Sequence, residues 1–548
     1  MKKQGKKWML VALALLAVVT VALPLVGCKN DTVAEQTGDG TGSGSGNQGS
    51  GDPEQPVTYT VSFITNGGGP IDSQTIVSGQ TATKPADPTL ENNVFGGWYS
   101  DEELTSEYDF TTPVTGSFPL YAKWVKRIEV IADDVYYSEI AGLTGDGSYI
   151  LVAIGNWSSD DLSAIKTALN EKPTAKVNLD LSKATGLTSI GESAFDECRG
   201  LTSISIPEGV KSIGGGAFSG CSGLTSISIP SSVTSIGERA FRECSGLTSI
   251  SIPEGVTSIG ESAFNGCSNL ATVTFGEGSL KTTIGISAFS GCSGLTSISI
   301  PSSVEIIGAG AFQGCSGLTS ISIPEGVTTI GARAFGGCSS LNISVNENNT
   351  KYSSVNGMLL DKEKTTLIAY PSAKETVTNV PTSVTTIGND AFYGCKSLTS
   401  ISIPSSVTSI GEAAFSGCSS LTSITIPSEG VKSIGNGAFD GCKSLTSISI
   451  PSSVTSIGET AFFGCSSLTS ITIPSEGIKS IGNAAFSGCS GLTTVTMKAT
   501  TPPELGGSVF NGTAGNLQIL VPSGFVDTYK EKWSDYKGKI KAIPDQTS

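Results

Sequence analysis

Cysteine offers most of the chemistry in this chain, because twelve of its 13 cysteines occupy one position of a recurring motif, G-x-x-A-F-x-x-C. No histidine occurs in the 548 residues. This excludes Ser-His-Asp and Cys-His catalytic sites and every metal site with an imidazole ligand, whereas carboxylate chemistry remains possible. The motif cysteines are Cys198, Cys221, Cys244, Cys267, Cys292, Cys315, Cys338, Cys395, Cys418, Cys442, Cys465 and Cys489.

The motif ends a longer repeat that must position these thiols. In 224–246 the repeat reads LTSISIPSSVTSIGERAFRECSG, 23 residues. Ile227 and Ile229 alternate with serines, which predicts a strand, and Pro230 should end it. The Ala-Phe-x-x-Cys segment can bury three side chains through one helical or 3₁₀ turn. Because one coil cannot bury this apolar face alone, the period predicts stacked coils with parallel strands about 4.8 Å apart.

Stacking decides what the cysteines can do. Disulfides are common in exported proteins, but equivalent cysteines in neighbouring coils would point in parallel directions, and each would have two equivalent neighbours. We therefore expect a column of buried, reduced thiols in which cysteine acts as a small hydrophobe. A metal site is disfavoured, since the chain has no C-x-x-C pair.

The I-P, I-G and A-F-x-x-C landmarks resemble the leucine-rich repeats of the Treponema pallidum/BspA-like class over residues 182–497. The resemblance implies a right-handed leucine-rich repeat solenoid with a parallel β-sheet on a bacterial surface. Proteins of this class are associated with adhesion to host matrix proteins and to other bacteria.

The first 28 residues carry an export pattern. Four lysines precede an apolar run, and Leu25-Val26-Gly27-Cys28 matches the bacterial lipobox L-x-G-C. This predicts a signal peptide over 1–27, cleavage before Cys28 and lipidation of its sulfur; the alternative is an uncleaved transmembrane anchor. Lys29 stands where an Asp would retain a lipoprotein at the inner membrane, so we expect an outer-membrane, surface-exposed protein. Residues 28–56 are rich in Gly and Ser and predict a flexible tether.

A separate module is predicted over 57–126. Its alternating strand at 59–63 and its aromatic segments resemble the Listeria–Bacteroides repeat, also called the internalin B repeat. That family implies a β-grasp-like fold. Trp98, Tyr99 and Trp124 are candidates for an aromatic binding site, although core packing is the alternative that a domain this small favours.

Caps should cover both ends of the stack. Residues 127–181 predict an α/β cap whose helix starts at a Ser158–Asp161 capping box. Residues 498–548 predict a second cap, with a helix N-capped by Ser523. Residues 341–380 depart from the repeat as a hairpin or a divergent coil, which is either a structural insertion or a local binding feature. The candidate binding residues there are Tyr352, Lys362, Lys364 and Tyr370.

Charge narrows the function further. With 33 basic and 48 acidic residues, the net charge of −15 argues against nucleic acid as a partner. No phosphate-binding loop or nucleophile elbow is present, and we expect no cofactor. The patterns favour a non-enzymatic adhesin or interaction scaffold for host matrix or cell-surface proteins, glycans or other bacterial cells, which contacts the membrane through its lipid alone. The alternatives are a structural envelope stalk and a carbohydrate-active enzyme with paired carboxylates.

Overall fold

The computed structural model describes residues 55–131, 143, 147–276, 282–338, 340–370, 379–474 and 477–544. The predicted signal peptide, Cys28 and most of the tether therefore lie outside the described residues. Contacts group Thr58–Ser548 into one unit.

The unit begins with a mixed four-stranded sheet in the order β2-β1-β4-β3. β1 and β4 are parallel, and the other two pairs are antiparallel. Residues 58–126, all described, contain no helix. Trp98 is fully buried with Val61 and Leu120, whereas Trp124 is half-buried and donates its indole N–H to Thr65 O at 2.8 Å. The strands are β1 Thr58–Ile64, β2 Gln74–Val77, β3 Asn93–Tyr99 and β4 Phe118–Ile131.

β4 is 14 residues long and runs through the boundary predicted at 126/127. Its second half pairs in parallel with β5 (Ser148–Asn156), which pairs with β6 (Lys176–Thr185). Helix α1 (Ser159–Glu171) connects β5 to β6 and begins at the predicted Ser158–Asp161 capping box. The module, the cap and the first coils therefore share one eight-stranded sheet.

From β6 onward the chain is a parallel β-solenoid. The L-x-x-I-x-I segment of most coils adds a strand to a first ladder, in which paired strands of successive coils are in register, for example Ser226 opposite Ser203. The strands after β6 are Leu201–Ser205, Ser226–Ser228, Ser249–Ile252, Thr272–Phe275, Ser297–Ser299, Ser320–Ile323, Asn342–Val345, Ser400–Ser402, Ser423–Thr425, Ser470–Ile473, Thr494–Met497, Gln518–Val521 and Ile540–Ala542.

After the proline turn, the residues around the I-G pair form a second ladder. Its strands are Ser189–Ile190, Ser212–Ile213, Ser235–Ile236, Ser258–Ile259, Thr282–Ile284, Val304–Ile307, Thr329–Ile330, Thr366–Ala369, Thr386–Ile387, Ser409–Ile410, Ser433–Ile434, Ser456–Ile457, Ser480–Ile481 and Glu504–Leu505. The coil then closes through turns with bonds between residues three apart, such as Cys198 N to Phe195 O at 3.1 Å.

The A-F-x-x-C phenylalanines stack face to face along the core, with ring centroids 5.1–5.9 Å apart from Phe195 to Phe335. The stack resumes from Phe392 to Phe510. Between the two runs, strands Tyr352–Val355 and Met358–Asp361 form an antiparallel hairpin, and Met358–Asp361 also pairs with Thr366–Ala369. The buried core of the array divides into two clusters at this insertion, so the coils before it are called the first block and the coils after it the second block.

The last coil is covered by α2 (Val526–Lys532) and two flanking 3₁₀ turns, Ser523–Phe525 and Ser534–Tyr536. Tyr529 and Trp533 are buried there, and they donate to Ala499 O and Pro503 O. The predicted N-cap is wrong: Ser523 opens the preceding 3₁₀ turn, and Phe525 is the N-cap of α2 without a side-chain hydrogen bond. Because Ser523–Phe525 form a 3₁₀ turn directly before α2, Ser523 lies two residues before the N-cap position.

Candidate interaction surface

Two columns of small hydroxyl side chains point outward from the first ladder. They arise because the strand residues between the buried isoleucines are almost all Ser or Thr, and the parallel register stacks each over its copy about 4.8 Å away. The exposed pairs in the first block are Ser226 and Ser228, Ser249 and Ser251, Thr272 and Thr274, Ser297 and Ser299, and Ser320 and Ser322. This surface, called here the hydroxyl face, carries no charge over those five coils.

The threonine one position earlier has a structural role instead. Thr225 Oγ1 donates to Thr202 O at 3.1 Å, and Thr319 Oγ1 donates to Thr296 O at 3.3 Å. Each such bond joins a side chain to the backbone of the preceding coil. The serine columns are therefore the hydroxyls left available to a partner.

The strands Ser226–Ser228 and Ser249–Ile252 of the first ladder belong to separate sheets, and the ladder opens again at one coil of the second block. Strands Ser423–Thr425 and Ser470–Ile473 belong to separate sheets, and the intervening coil contributes only the bridge between Ser449 and Thr472. A shallow groove of about 480 Å³ lies there. Its lining includes Ile426, Ser428, Ser447, Ser449, Ser470 and Lys498.

All twelve motif cysteines are buried, as the repeat predicts. Their sulfurs also form hydrogen bonds between coils, which the sequence did not indicate. Cys244 Sγ donates to Phe218 O at 3.0 Å, and Cys267 Sγ donates to Phe241 O at 3.1 Å, in each case in the preceding coil. The same bond recurs in most coils, so the thiol column is also a hydrogen-bond ladder. That the thiols stay reduced in the native protein remains a prediction.

Burial changes the acidity of these thiols. Desolvation raises the pKa of Cys267 and of Cys315 to about 12. It raises the pKa of Cys244 well above the usual range as well. Because the thiolate is the nucleophile and metal ligand, these cysteines are protonated and unreactive at neutral pH. Within the described residues, no cluster of acidic, cysteine and histidine side chains could hold a metal ion.

The four candidate residues of the insertion lie in different environments. Tyr352 is half-buried, and its hydroxyl accepts from Ile330 N at 3.0 Å, so it closes the second ladder of the first block. Lys362 Nζ donates to Glu347 O and Asn349 O. Lys364 is exposed on a turn with φ 61°. Tyr370 is buried in the second core, with its ring 4.5 Å from Phe392. They do not converge on one exposed site.

A parallel solenoid with a hydrophobic ladder, a turn and a phenylalanine–cysteine seam in every coil is a leucine-rich repeat array. The chain belongs to the BspA type leucine rich repeat family, whose model matches residues 176–282, 282–356, 369–493 and 419–532. The Listeria-Bacteroides repeat domain matches residues 59–123. Leucine-rich repeat proteins are typically non-enzymatic scaffolds for protein interaction.

Several known proteins resemble parts of the chain. A leucine rich cell surface protein of Faecalibacterium prausnitzii is 30% identical, over 76% of this chain and 95% of its own, with a TM-score of 0.47. The pneumococcal vaccine antigen PcpA is 25% identical, over 62% and 77%, with a TM-score of 0.45. The Treponema pallidum leucine-rich repeat protein is 28% identical, over 36% and 99%, with a TM-score of 0.27.

Among curated proteins, a Gly-rich membrane protein of Evansella cellulosilytica is 46% identical over 67 residues. This match spans 12% of the chain and 8% of that relative. In the part of the chain that the structure describes, no helix combines the length and apolar character needed to cross a bilayer.

Proposed function

We propose that the protein is a lipid-anchored surface adhesin of the bacterial cell envelope, and that its repeat array is the interaction scaffold. The observation that carries this proposal is the hydroxyl face, an uncharged, hydrogen-bonding surface repeated coil after coil. Its partners are host matrix or cell-surface proteins, glycans or other bacterial cells. The family and the surface and membrane proteins that the chain resembles support the same assignment.

The physical argument is multivalency. Each exposed serine offers one donor and acceptor, which contributes little by itself. Equivalent groups at a fixed spacing let an extended partner form many such contacts at once, and the second and later contacts are effectively intramolecular. Binding should therefore grow with the number of coils.

Anchoring completes the proposal. Lipidation at Cys28 would hold the chain at the outer membrane, and residues 28–56 would separate the folded unit from it. Several acyl chains give stable anchoring where a single chain does not. The lipid would be the only part of the protein in contact with the membrane.

The test compares deletion of 224–246, deletion of 341–380 and one surface variant. Deletion of 224–246 removes one full period, so the stack can close again, and attachment to immobilised matrix proteins, glycans and partner bacteria should weaken gradually. The double variant Ser251→Arg with Ser299→Arg places two large cations on the hydroxyl face and should weaken attachment more than tenfold. Asn269→Arg, an exposed position outside the strands, is the matched control and should have no effect.

Two outcomes would contradict the proposal in different ways. If attachment vanishes on deletion of 341–380 but survives both the coil deletion and the face variant, the hydroxyl face is not the binding surface. If the protein binds nothing in the panel and cells lacking it attach normally, the alternative of a structural envelope stalk replaces the adhesin.

A further inference from the structure

Along the turns that close the described coils, the regular backbone hydrogen bonds to the next coil are lost where the insertion enters the stack. In a regular coil, two N–H groups of the turn before the cysteine donate to the next coil: Gly310 N to Ala332 O, and Phe312 N to Ala334 O, both at 2.8 Å. One coil later the equivalent groups belong to Arg333 and Phe335. Neither donates to an acceptor among the described residues.

Tyr370 causes this failure. Its backbone N–H donates to Ala391 O at 2.8 Å, which is the acceptor that Phe335 N would reach in a regular stack. The coils meet again only further along the turn, where Gly337 N donates to Tyr393 O at 3.1 Å. Between these two points the coils are held apart, and two backbone donors are left without their usual acceptors.

A cavity of about 180 Å³ occupies this gap, called here the junction cavity. Its lining is mixed: Ile330, Phe335, Ile368 and Ala369 contribute apolar surface, and polar groups including Asn389 and Asp390 contribute the rest. An engineered cavity of about 150 Å³ holds a benzene ring, so this one has room for a single six-membered ring.

Tyr370, which lines this cavity, also carries an unbonded polar group. Only 6% of its surface is exposed, and its hydroxyl has no hydrogen-bond partner within the described part of the chain. Buried polar groups in native proteins are nearly always bonded, so an unbonded one calls for a ligand or ordered water. The hydroxyl can donate and accept, whereas the N–H groups of Arg333 and Phe335 can only donate.

The two charged side chains of the cavity wall, Arg333 and Asp390, form an ion pair with each other. Arg333 Nε donates to Asp390 Oδ1 at 2.7 Å, and its guanidinium lies 4.4 Å above the Tyr393 ring. Asp390 is nearly buried, so a charged ligand would have to compete with an established ion pair. An uncharged ligand avoids this competition.

We propose that the junction cavity binds one uncharged, hexose-sized sugar residue of a glycan. A sugar ring presents oxygen acceptors to the donors of Arg333 and Phe335, hydroxyls to Tyr370 and Asn389, and a C–H face to the apolar part of the lining. This inference deepens the adhesin proposal and rests on it for its biological setting. The site itself is separate from the hydroxyl face.

The test uses the purified full chain and the methyl glycosides of glucose, galactose, mannose, N-acetylglucosamine and N-acetylgalactosamine, with binding followed by saturation-transfer NMR and calorimetry. At least one glycoside should bind. Tyr370→Phe keeps the ring on Phe392 and should weaken binding about tenfold, as expected for one lost hydrogen bond. Its melting temperature should be unchanged or higher, because an unbonded buried hydroxyl is removed.

Two more variants complete the design. Ala369→Leu should abolish binding by filling the cavity. Tyr536→Phe is the matched control, because Tyr536 contacts Phe510 at the far end of the phenylalanine stack, and this variant should bind like the parent.

The proposal is overturned if no glycoside binds at millimolar concentration, if Tyr370→Phe and Ala369→Leu bind as well as the parent, or if crystals soaked in glycoside show only water in the cavity. These results are distinguishable from failure of the adhesin proposal. Glycoside binding without attachment to any surface would contradict that proposal alone, and attachment that depends on the hydroxyl face without glycoside binding would contradict the cavity alone.

Discussion

At most repeat cysteines, one small side chain fills the core and also donates a hydrogen bond to the neighbouring coil. The buried thiol column follows from the fixed place of cysteine beside Ala and Phe. The bond to the phenylalanine carbonyl could not be predicted, because it depends on how far one coil is rotated against the next. Both roles favour the protonated thiol.

This preference predicts an alkaline limit to stability. Burial raises the pKa of Cys198, Cys267, Cys315 and Cys442 to about 12, against about 8.5 for an exposed thiol. The stabilisation is complete below about pH 8.5 and is lost as the pH rises towards 12, because the unfolded chain releases its protons first. Urea unfolding at pH 7, 9 and 10.5 should show a steep loss of unfolding free energy.

The matched variant is Cys267→Ser, whose hydroxyl can still donate to Phe241 O but does not titrate. Its free energy of unfolding should fall less between pH 7 and 10.5 than that of the parent, by up to about 1.4 kcal/mol for each pH unit above the pKa of the unfolded thiol. Equal slopes for the two proteins would show that the thiol does not titrate on unfolding.

The thirteenth cysteine carries a different prediction. Because Cys28 ends a lipobox, we expect the mature chain to begin at Cys28 and to carry a diacylglycerol and an added acyl group. Intact mass analysis of the protein purified from its own membranes measures this directly. A mature species that retains residues 1–27 and has no acyl mass would contradict it, and Cys28→Ser should release the protein from the membrane.

At the scale of the element, the coil corner depends on glycine for close approach. A Cβ on Gly237 would lie 2.7 Å from the backbone of Gly214 and Gly215 in the preceding coil. Gly237→Ala should therefore destabilise the array by about 1–3 kcal/mol, since backbone atoms cannot move aside cheaply. At Gly215 the nearest atom is 3.5 Å away and φ is not left-handed, so Gly215→Ala is the control and should be neutral or slightly stabilising. The denaturant midpoints of the two variants measure this difference. Equal losses of stability would mean that the close approach of the Gly237 Cβ is not the cause of the loss.

Regular elements were predictable, and irregular ones were not. The alternation of Ile227 and Ile229 with serines was sufficient to locate the strand, because every coil repeats it. The continuation of β4 into the cap was not apparent, since the pairing of Lys126–Ile131 with β5 depends on a partner some 20 residues away. Ser523 shows the same limit at a helix end: a 3₁₀ turn inserted before α2 moved the N-cap by two residues.

At the scale of the whole molecule, one strand of the insertion joins two cores. Leu359 packs in the first core, whereas Met358 and Leu360 pack in the second. Leu359→Ala and Leu360→Ala should each cost about 2–5 kcal/mol, but in different halves of the array. Hydrogen exchange read by mass spectrometry should show lost amide protection mainly before residue 356 for Leu359→Ala, and mainly after residue 380 for Leu360→Ala. The same pattern from both variants would mean that the array unfolds as one block.

The stack, its caps and its insertion were all predictable from the repeat, but the junction cavity was not. The sequence identifies residues 341–380 as a departure from the repeat and Tyr370 as a candidate binding residue. The structure places the Tyr370 ring in the core, and the cavity arises from two backbone bonds that its insertion removes. A missing backbone hydrogen bond leaves no trace in the periodicity of side-chain types, so the sequence could not predict this cavity.

The continuous β4 has a mechanical consequence for a protein held at one end and bound at the other. Tension from the membrane side would enter at Thr58, the start of β1, and pass to the array through Ile131, the end of β4. Because β1 and β4 are parallel neighbours, from Val61 opposite Phe118 to Ile64 opposite Tyr121, such a pull slides one strand along the other. The hydrogen bonds between them share the load and must rupture together, instead of opening one after another like a zipper. The small N-terminal module would then resist unfolding under a force applied between the anchor and the array.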